Sequence, residues 1–239
     1  MLERILKNKE KVFTPNGNVK IDSIMLEENG EIESHFYSDE DNLHEMRSVS
    51  KVLIALAFGC AMYENLQIGG EPLSVEMYVY PVLKNVVKIQ SESNLEKIKK
   101  WQIKTLLTYS AGYDKQMFNE KCLRALKESG KTEEDFLDYA INYPLAYEPN
   151  EKYVYNNAET FLLSVFFQEV FKENIASYIQ RKIFKPLGIE NFVWENYGKY
   201  CPGGTGLYLS AKGLFKIGQL MLRGGGVCRN ANNFRRVYF

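Results

Sequence analysis

The stretch EMRSVSKVLIALAF, residues 45–58, constrains this chain more than any other. It sets a serine and a lysine three positions apart at the head of the longest apolar run, Val52 to Met62. The spacing of Val52, Leu53, Leu56, Ala57, Cys60 and Ala61 predicts a helix from Ser48 to Asn65 buried on more than one side. That run is far shorter than a membrane span. Just upstream, NVKIDSIMLEENGEIESHFY reads as two strands about an Asn29-Gly30 turn, since Asn-Gly takes the positive φ values of a type I′ hairpin. A central helix behind an early hairpin follows.

Ser48 and Lys51 carry a chemical reading. A serine hydroxyl is a poor nucleophile at neutral pH and needs a base within hydrogen-bond reach, which a residue three positions on along a helix start supplies. Lys51 is that base if its ammonium form is disfavoured, and burial against Val52, Leu53 and Ala55 acts in that direction. The positive end of the helix adds to this and helps hold an oxyanion near the Ser48 amide. S-x-x-K is cheap by chance, but this is its one occurrence here, and it opens the most apolar helix. In YVYNN, Tyr155 offers a phenol that shuttles a proton, and Asn157 an amide that orients the lysine and a substrate carbonyl. A second Y-x-N match, at Tyr63, lies fifteen helical residues from Ser48, about 22 Å away, and is set aside.

The rest of the chain is mostly helical. EPLSVEMYVYPVL reads as a loop with a short helical turn, and IKTLLTYSAGYD as a helix breaking at Gly112. Helices are predicted around Glu133 to Ile141 and from Asn157 to Phe171, then over IASYIQRKIFKPLGI, stopped by Pro186 and Gly188. LSAKGLFKIGQLMLRGGG forms an amphipathic helix capped by Ser210. Beyond Gly226, VCRNANNFRRVYF has neither helical nor alternating period and does not resemble a closing strand. His35, in an alternating pattern, and His44, in a polar turn, read as structural or solvated.

Thirty basic and thirty acidic side chains cancel, so no net field attracts phosphate backbones or anionic lipid; nucleic acid and membranes are disfavoured as partners. Cys60, Cys122, Cys201 and Cys228 are far apart with no C-x-x-C, which suggests reduced thiols and neither a zinc site nor a redox motif. No metal or cofactor is expected. MLERILKNKEKVF lacks the apolar core of a signal peptide, so a cytoplasmic protein is the expectation.

Taken in order, S-x-x-K before an apolar helix, LLTYSAG, Y-x-N before a helix, FKPLGI and GGTGLYLSAKGLFKIGQLML resemble the serine β-lactamase and penicillin-binding-protein superfamily. HEMRSVSK and the Gly-rich lead into the last helix are most similar to its class C-like branch of esterases and 6-aminohexanoate-dimer hydrolase, with matches over about residues 20 to 226. The resemblance implies that Ser48 forms an acyl-enzyme, that Lys51 and Tyr155 handle its proton and that of the leaving group, and that Asn157 positions the acyl group. It places Tyr109, where the family commonly has His or Met, in a scaffold loop at the cleft that contacts substrate; a packed aromatic is the plainer reading of that residue. It also implies an α+β fold in which a helical cluster packs on an antiparallel sheet.

One departure stands out. Family members carry a K-T-G or H-x-G strand after the Gly-rich turn, and no K-T-G, H-T-G or K-S-G occurs here. That strand supplies a second oxyanion donor, whose loss costs about 10²- to 10³-fold in kcat. The expectation is therefore a single domain over 1–239: a hairpin at about 18–38, a mainly helical region at about 48–222, an atypical tail at 227–239, and an incomplete sheet built from the early hairpin alone. The leading function is a metal-independent serine hydrolase acting on a small ester or amide. The alternatives are a weak or inactive homologue serving as a binding module, and a truncated gene product. The unpaired sheet edge must then be covered by another chain, by the tail from Val227 to Phe239, or by solvent, and self-association is the expectation.

Overall fold

The computed structural model describes residues 1–7, 21–224, 226–230 and 233–236, the last two segments by their backbone alone. The first element is a short helix, Leu2–Lys7. Strands β1 (Ser23–Glu28) and β2 (Glu31–Phe36) pair antiparallel with Ser23 opposite Phe36 and Glu28 opposite Glu31. Asn29 and Gly30 between them have φ of 54° and 84°, the type I′ turn that Asn-Gly encodes. Residues 18–20 of the expected hairpin lie outside the described residues.

β3 (His44–Glu45) follows, and a 3₁₀ turn over Arg47–Val49 leads into α1 (Ser50–Tyr63). Ser48 therefore sits in the tight turn ahead of the helix rather than in its first turn. His44 is not in a polar turn: it pairs across a strand with Leu209, and its Nδ1 lies 3.8 Å from the Asp22 carboxylate. Leu53, Ile54, Ala57, Phe58 and Ala61 of α1 are all at or below 1% exposed, so the helix is buried on more than one side.

Short elements follow: a helical turn Tyr80–Leu83 and helices Glu92–Ile98 and Ile103–Leu107, the first and last packing on the later helix over residues 157–171. The last ends at Leu107, and Tyr109 behind it turns left-handed with φ of 55°, ahead of the expected break at Gly112. Helix α2 (Glu120–Glu128), capped by Asn119 accepting the Cys122 N–H at 2.8 Å, went unrecognised in the sequence, as did Glu92–Ile98. Phe136–Asn142 is helical, and α3 runs over Asn157–Phe171, capped by the Asn156 side chain at the Ala158 N–H. Every residue of α3 from Asn157 to Phe167 is buried, and Phe58 of α1 meets Phe167 edge-on at 5.6 Å.

Residues 175–187 are helical throughout, widening to a π turn over Gln180–Phe184. Pro186 does not stop this helix, which runs one residue further, to Leu187. Gly188, with φ of 63°, ends it, the Ile189 N–H bonding back to Phe184 O at 2.9 Å. β4 (Phe192–Trp194) and β5 (Leu207–Leu209) complete a three-stranded sheet in the order β3-β5-β4, and α4 (Ala211–Leu222) follows with Ser210 as its cap.

The early hairpin is thus not the chain's one source of strands, because residues 207–209 pair with β3, just ahead of the Arg47–Val49 turn, and residues 192–194 pair with them in turn. The tail also departs from expectation. Gly226–Asn230 pairs antiparallel with Asn233–Arg236, a hairpin whose irregular register at 228–230 hides its alternation in the sequence. Among the described residues the sheets are small, antiparallel and unclosed, and β1-β2 stays two-stranded, which bears out an incomplete sheet in an α+β fold.

Candidate active site

The Arg47–Val49 turn that carries Ser48 is fixed from both sides. The Met46 N–H bonds Leu207 O of β5 at 2.7 Å, and the Ser50 hydroxyl donates to Arg47 O at 2.7 Å. Arg47 itself takes φ of 43°, a left-handed conformation that costs a non-glycine residue roughly 1–2 kcal/mol and is held here by those two anchors.

Lys51, in the first turn of α1, is 8% exposed. Its Nζ lies 3.2 Å from Ser48 Oγ, 2.5 Å from Asn157 Oδ1 and 3.0 Å from Gly204 O. Burial pushes its pKa below the usual lysine value, against the Tyr155 phenol, which favours the charged form. The two carbonyl acceptors match the two N–H bonds of a neutral amine, so in that form the amine's lone pair faces Ser48 Oγ. Asn157 is oriented without ambiguity: its Nδ2 donates to Phe118 O at 2.9 Å, leaving Oδ1 for the lysine. Tyr155 stands beside the lysine, its ring centroid 5.0 Å from Nζ, and Tyr109 packs on that ring at 5.4 Å. Burial raises the Tyr109 phenol's pKa.

A cavity of about 930 Å³ opens over this turn, lined among others by Ser48, Asn157, Gly204, Thr205, Phe118 and Tyr197. Lys51, Tyr155 and Tyr109 do not line it. Its charges are largely paired with one another, Arg47 with Glu120 at 2.9 Å and Lys127 with Glu133 at 3.2 Å. Among the described residues no group of three His, Cys, Asp or Glu is placed to hold a metal, and no helix is long and apolar enough to cross a membrane.

The five residues read from the sequence are therefore brought into one cluster. Gly204 was missed, because a backbone carbonyl leaves no mark in a sequence. Its residue type is nonetheless decisive: a Cβ there would stand 2.8 Å from Lys51 Nζ and 3.3 Å from Asn157 Oδ1. Gly204→Ala is expected to displace the amine and slow labelling of the chain by a fluorophosphonate about 10²-fold while the thermal midpoint stays within a few degrees. Labelling kinetics beside a melting curve check this, and an unchanged rate would show that the lysine tolerates the intrusion.

The sequence matches the Beta-lactamase family over residues 32–239. The chain belongs to that family. The fold agrees: a structure from Bacillus anthracis, provisionally named a 6-aminohexanoate-dimer hydrolase, superposes with a TM-score of 0.70 at 17% identity, over 96% of this chain and 58% of that one. A beta-lactamase/D-alanine carboxypeptidase from Pseudomonas syringae gives 0.67 at 16% identity, over 95% and 66%. Among curated proteins, one from Escherichia coli (strain K12), provisionally named a D-alanyl-D-alanine carboxypeptidase, is 29% identical over 98 residues, 39% of this chain. The chain spans about a fifth of that relative, 22%, and less than two thirds of the Bacillus structure. These likenesses establish a β-lactamase/transpeptidase-like fold, helices packed on small antiparallel sheets.

Proposed function

We propose that this family member is a serine hydrolase that passes through an acyl-enzyme on Ser48 and cleaves a small ester or amide. The observation that carries the reading is the Lys51 amine, buried, held by Asn157 and the Gly204 carbonyl, and 3.2 Å from Ser48 Oγ. In this reading the neutral amine takes the Ser48 proton as Oγ attacks the carbonyl carbon, and the C–O bond forms as the carbonyl electrons move to oxygen. Collapse of that intermediate expels the leaving group, which receives a proton from the Lys51–Tyr155 pair. Water then adds to the acyl-Ser48 ester by the same route in reverse and frees the serine. Asn157, lining the cavity and bonded to the lysine, orients both the base and the acyl group. Tyr109 acts by packing against Tyr155, in keeping with the plainer reading of it. Incubating the full chain with a fluorophosphonate, then intact-mass and peptide analysis, tests the proposal: one adduct on the Ser48 peptide supports it, and no adduct sinks it.

A pH profile follows from the same geometry. Acylation needs the neutral amine, so its rate rises with pH through the Lys51 pKa, which burial holds below that of a free lysine. Asn157→Asp sets a carboxylate at the amine, stabilises the ammonium, and turns a second oxygen toward Phe118 O. The rise in labelling rate is expected to move to higher pH in this variant. An unshifted profile would remove Lys51 as the base.

A further inference from the structure

Glu159, in the first turn of α3, is fully buried, and its Oε2 has no hydrogen-bond partner among the described residues. Its Oε1 accepts the Ala111 N–H at 3.4 Å. No step of the proposed reaction uses it, yet such a group is costly to bury and calls for a reason. The loop it holds supplies one. The Tyr109 carbonyl accepts the Val154 N–H at 2.8 Å, the Ser110 carbonyl that of Asn150 at 2.8 Å, and the Gly112 carbonyl those of Ala146 at 2.8 Å and Tyr147 at 3.0 Å. Ala111 is pinned from its other side, its carbonyl accepting the Trp101 indole N–H at 2.8 Å. The segment that delivers Tyr155 is thus hung, bond by bond, on the four-residue loop that Glu159 ties to α3.

We propose that Glu159 is a positioning residue of this site: its buried carboxyl fastens the Tyr109–Gly112 loop to α3, and through that loop sets where Tyr155 stands beside Lys51. The inference rests on the hydrolase reading, since a phenol's placement is felt when Ser48 reacts. Burial raises the carboxyl's pKa well above the usual carboxylate range, against the Ala111 and Ser110 amides that lower it. The titratable groups facing it are the Tyr109 and Tyr113 phenols, both shifted upward chiefly by burial, with Glu159 a lesser contributor. The acid form leaves one neutral orphan in the core where the anion would leave a charged one. A glutamine has the same shape and still offers the Ala111 amide a carbonyl.

Fluorophosphonate acylation rates of Ser48 in the full chain decide the matter. Glu159→Gln is expected to stay within about threefold of the parent, and Glu159→Ala to fall about tenfold. In a Tyr155→Phe background the alanine change is expected to cost nothing further, because the two act through one phenol. A general packing defect would instead slow both backgrounds equally, and that result overturns the proposal, as does a parent-like Glu159→Ala. Glu159→Asp, one methylene short of Ala111, stands in if the alanine chain does not fold. Infrared difference spectra in D₂O read the carboxyl separately, with a protonated-acid C=O band in the parent and none in Glu159→Gln. A parent chain that never acylates defeats the hydrolase reading instead, and the band then decides whether the neutral clamp survives without it.

Discussion

Ser48→Ala is expected to abolish covalent labelling of the chain and to lower turnover of an activated ester by about 10⁴- to 10⁶-fold, to the uncatalysed background. The size follows from what the other groups hold. Asn157 and the Gly204 carbonyl hold the Lys51 amine, and they hold it 3.2 Å from Ser48 Oγ. Removing that oxygen leaves the base with nothing to deprotonate. The fold should be indifferent, because Ser48 lies in the 3₁₀ turn ahead of α1 and the core residues of the helix begin at Ser50. A melting curve that matches the parent, beside a mass spectrum without adduct, is the expected pair of results. An adduct that persists and maps to another serine would move the active site away from this turn.

Much of this site was legible because it is written in side chains at short spacing. Ser48 and Lys51 meet because three residues bring them to one face, whether the turn between them is 3₁₀ or α. Tyr155 and Asn157 were legible because a polar pair directly ahead of a solidly apolar helix has few places to point except a cleft. The backbone contributions were not legible. The Gly204 carbonyl has no residue identity of its own, and GGTG reads equally as a turn. The clamp at Glu159 is a first-turn glutamate, which in a sequence signals a favourable helix dipole and solvent, whereas here the helix is buried from its first residue. Among the elements, α2 carried a usable signal in Asn119 followed by Cys122, Leu123 and Leu126 at helical spacing. Tyr109 carried a misleading one: its left-handed backbone ends the helix early, a geometry that the glycine three residues later advertises more loudly.

Lys51 and Tyr155 are expected to fail together. Each single change, Lys51→Ala and Tyr155→Phe, should remove most acylation of Ser48, on the order of 10²- to 10³-fold, and the double variant should be little worse than the weaker single. The structure gives the reason. The amine and the phenol are in direct contact, the ring centroid 5.0 Å from Nζ, and after burial the phenol is, among the described residues, the one titratable side chain that acts on the lysine's pKa. A proton leaving Ser48 enters a shared site rather than one of two separate acceptors, so once either partner is gone the other has no route left to protect. Neither Lys51 nor Tyr155 is part of the wall of the 930 Å³ cavity over Ser48, so removing the phenol oxygen takes little from ground-state binding. Its loss should therefore appear in kcat with KM nearly unchanged. Steady-state ester hydrolysis by the four chains of the cycle, parent, two singles and double, reads both quantities. Losses that multiply would mean that the phenol and the amine serve different steps, and the shared proton would have to be given up.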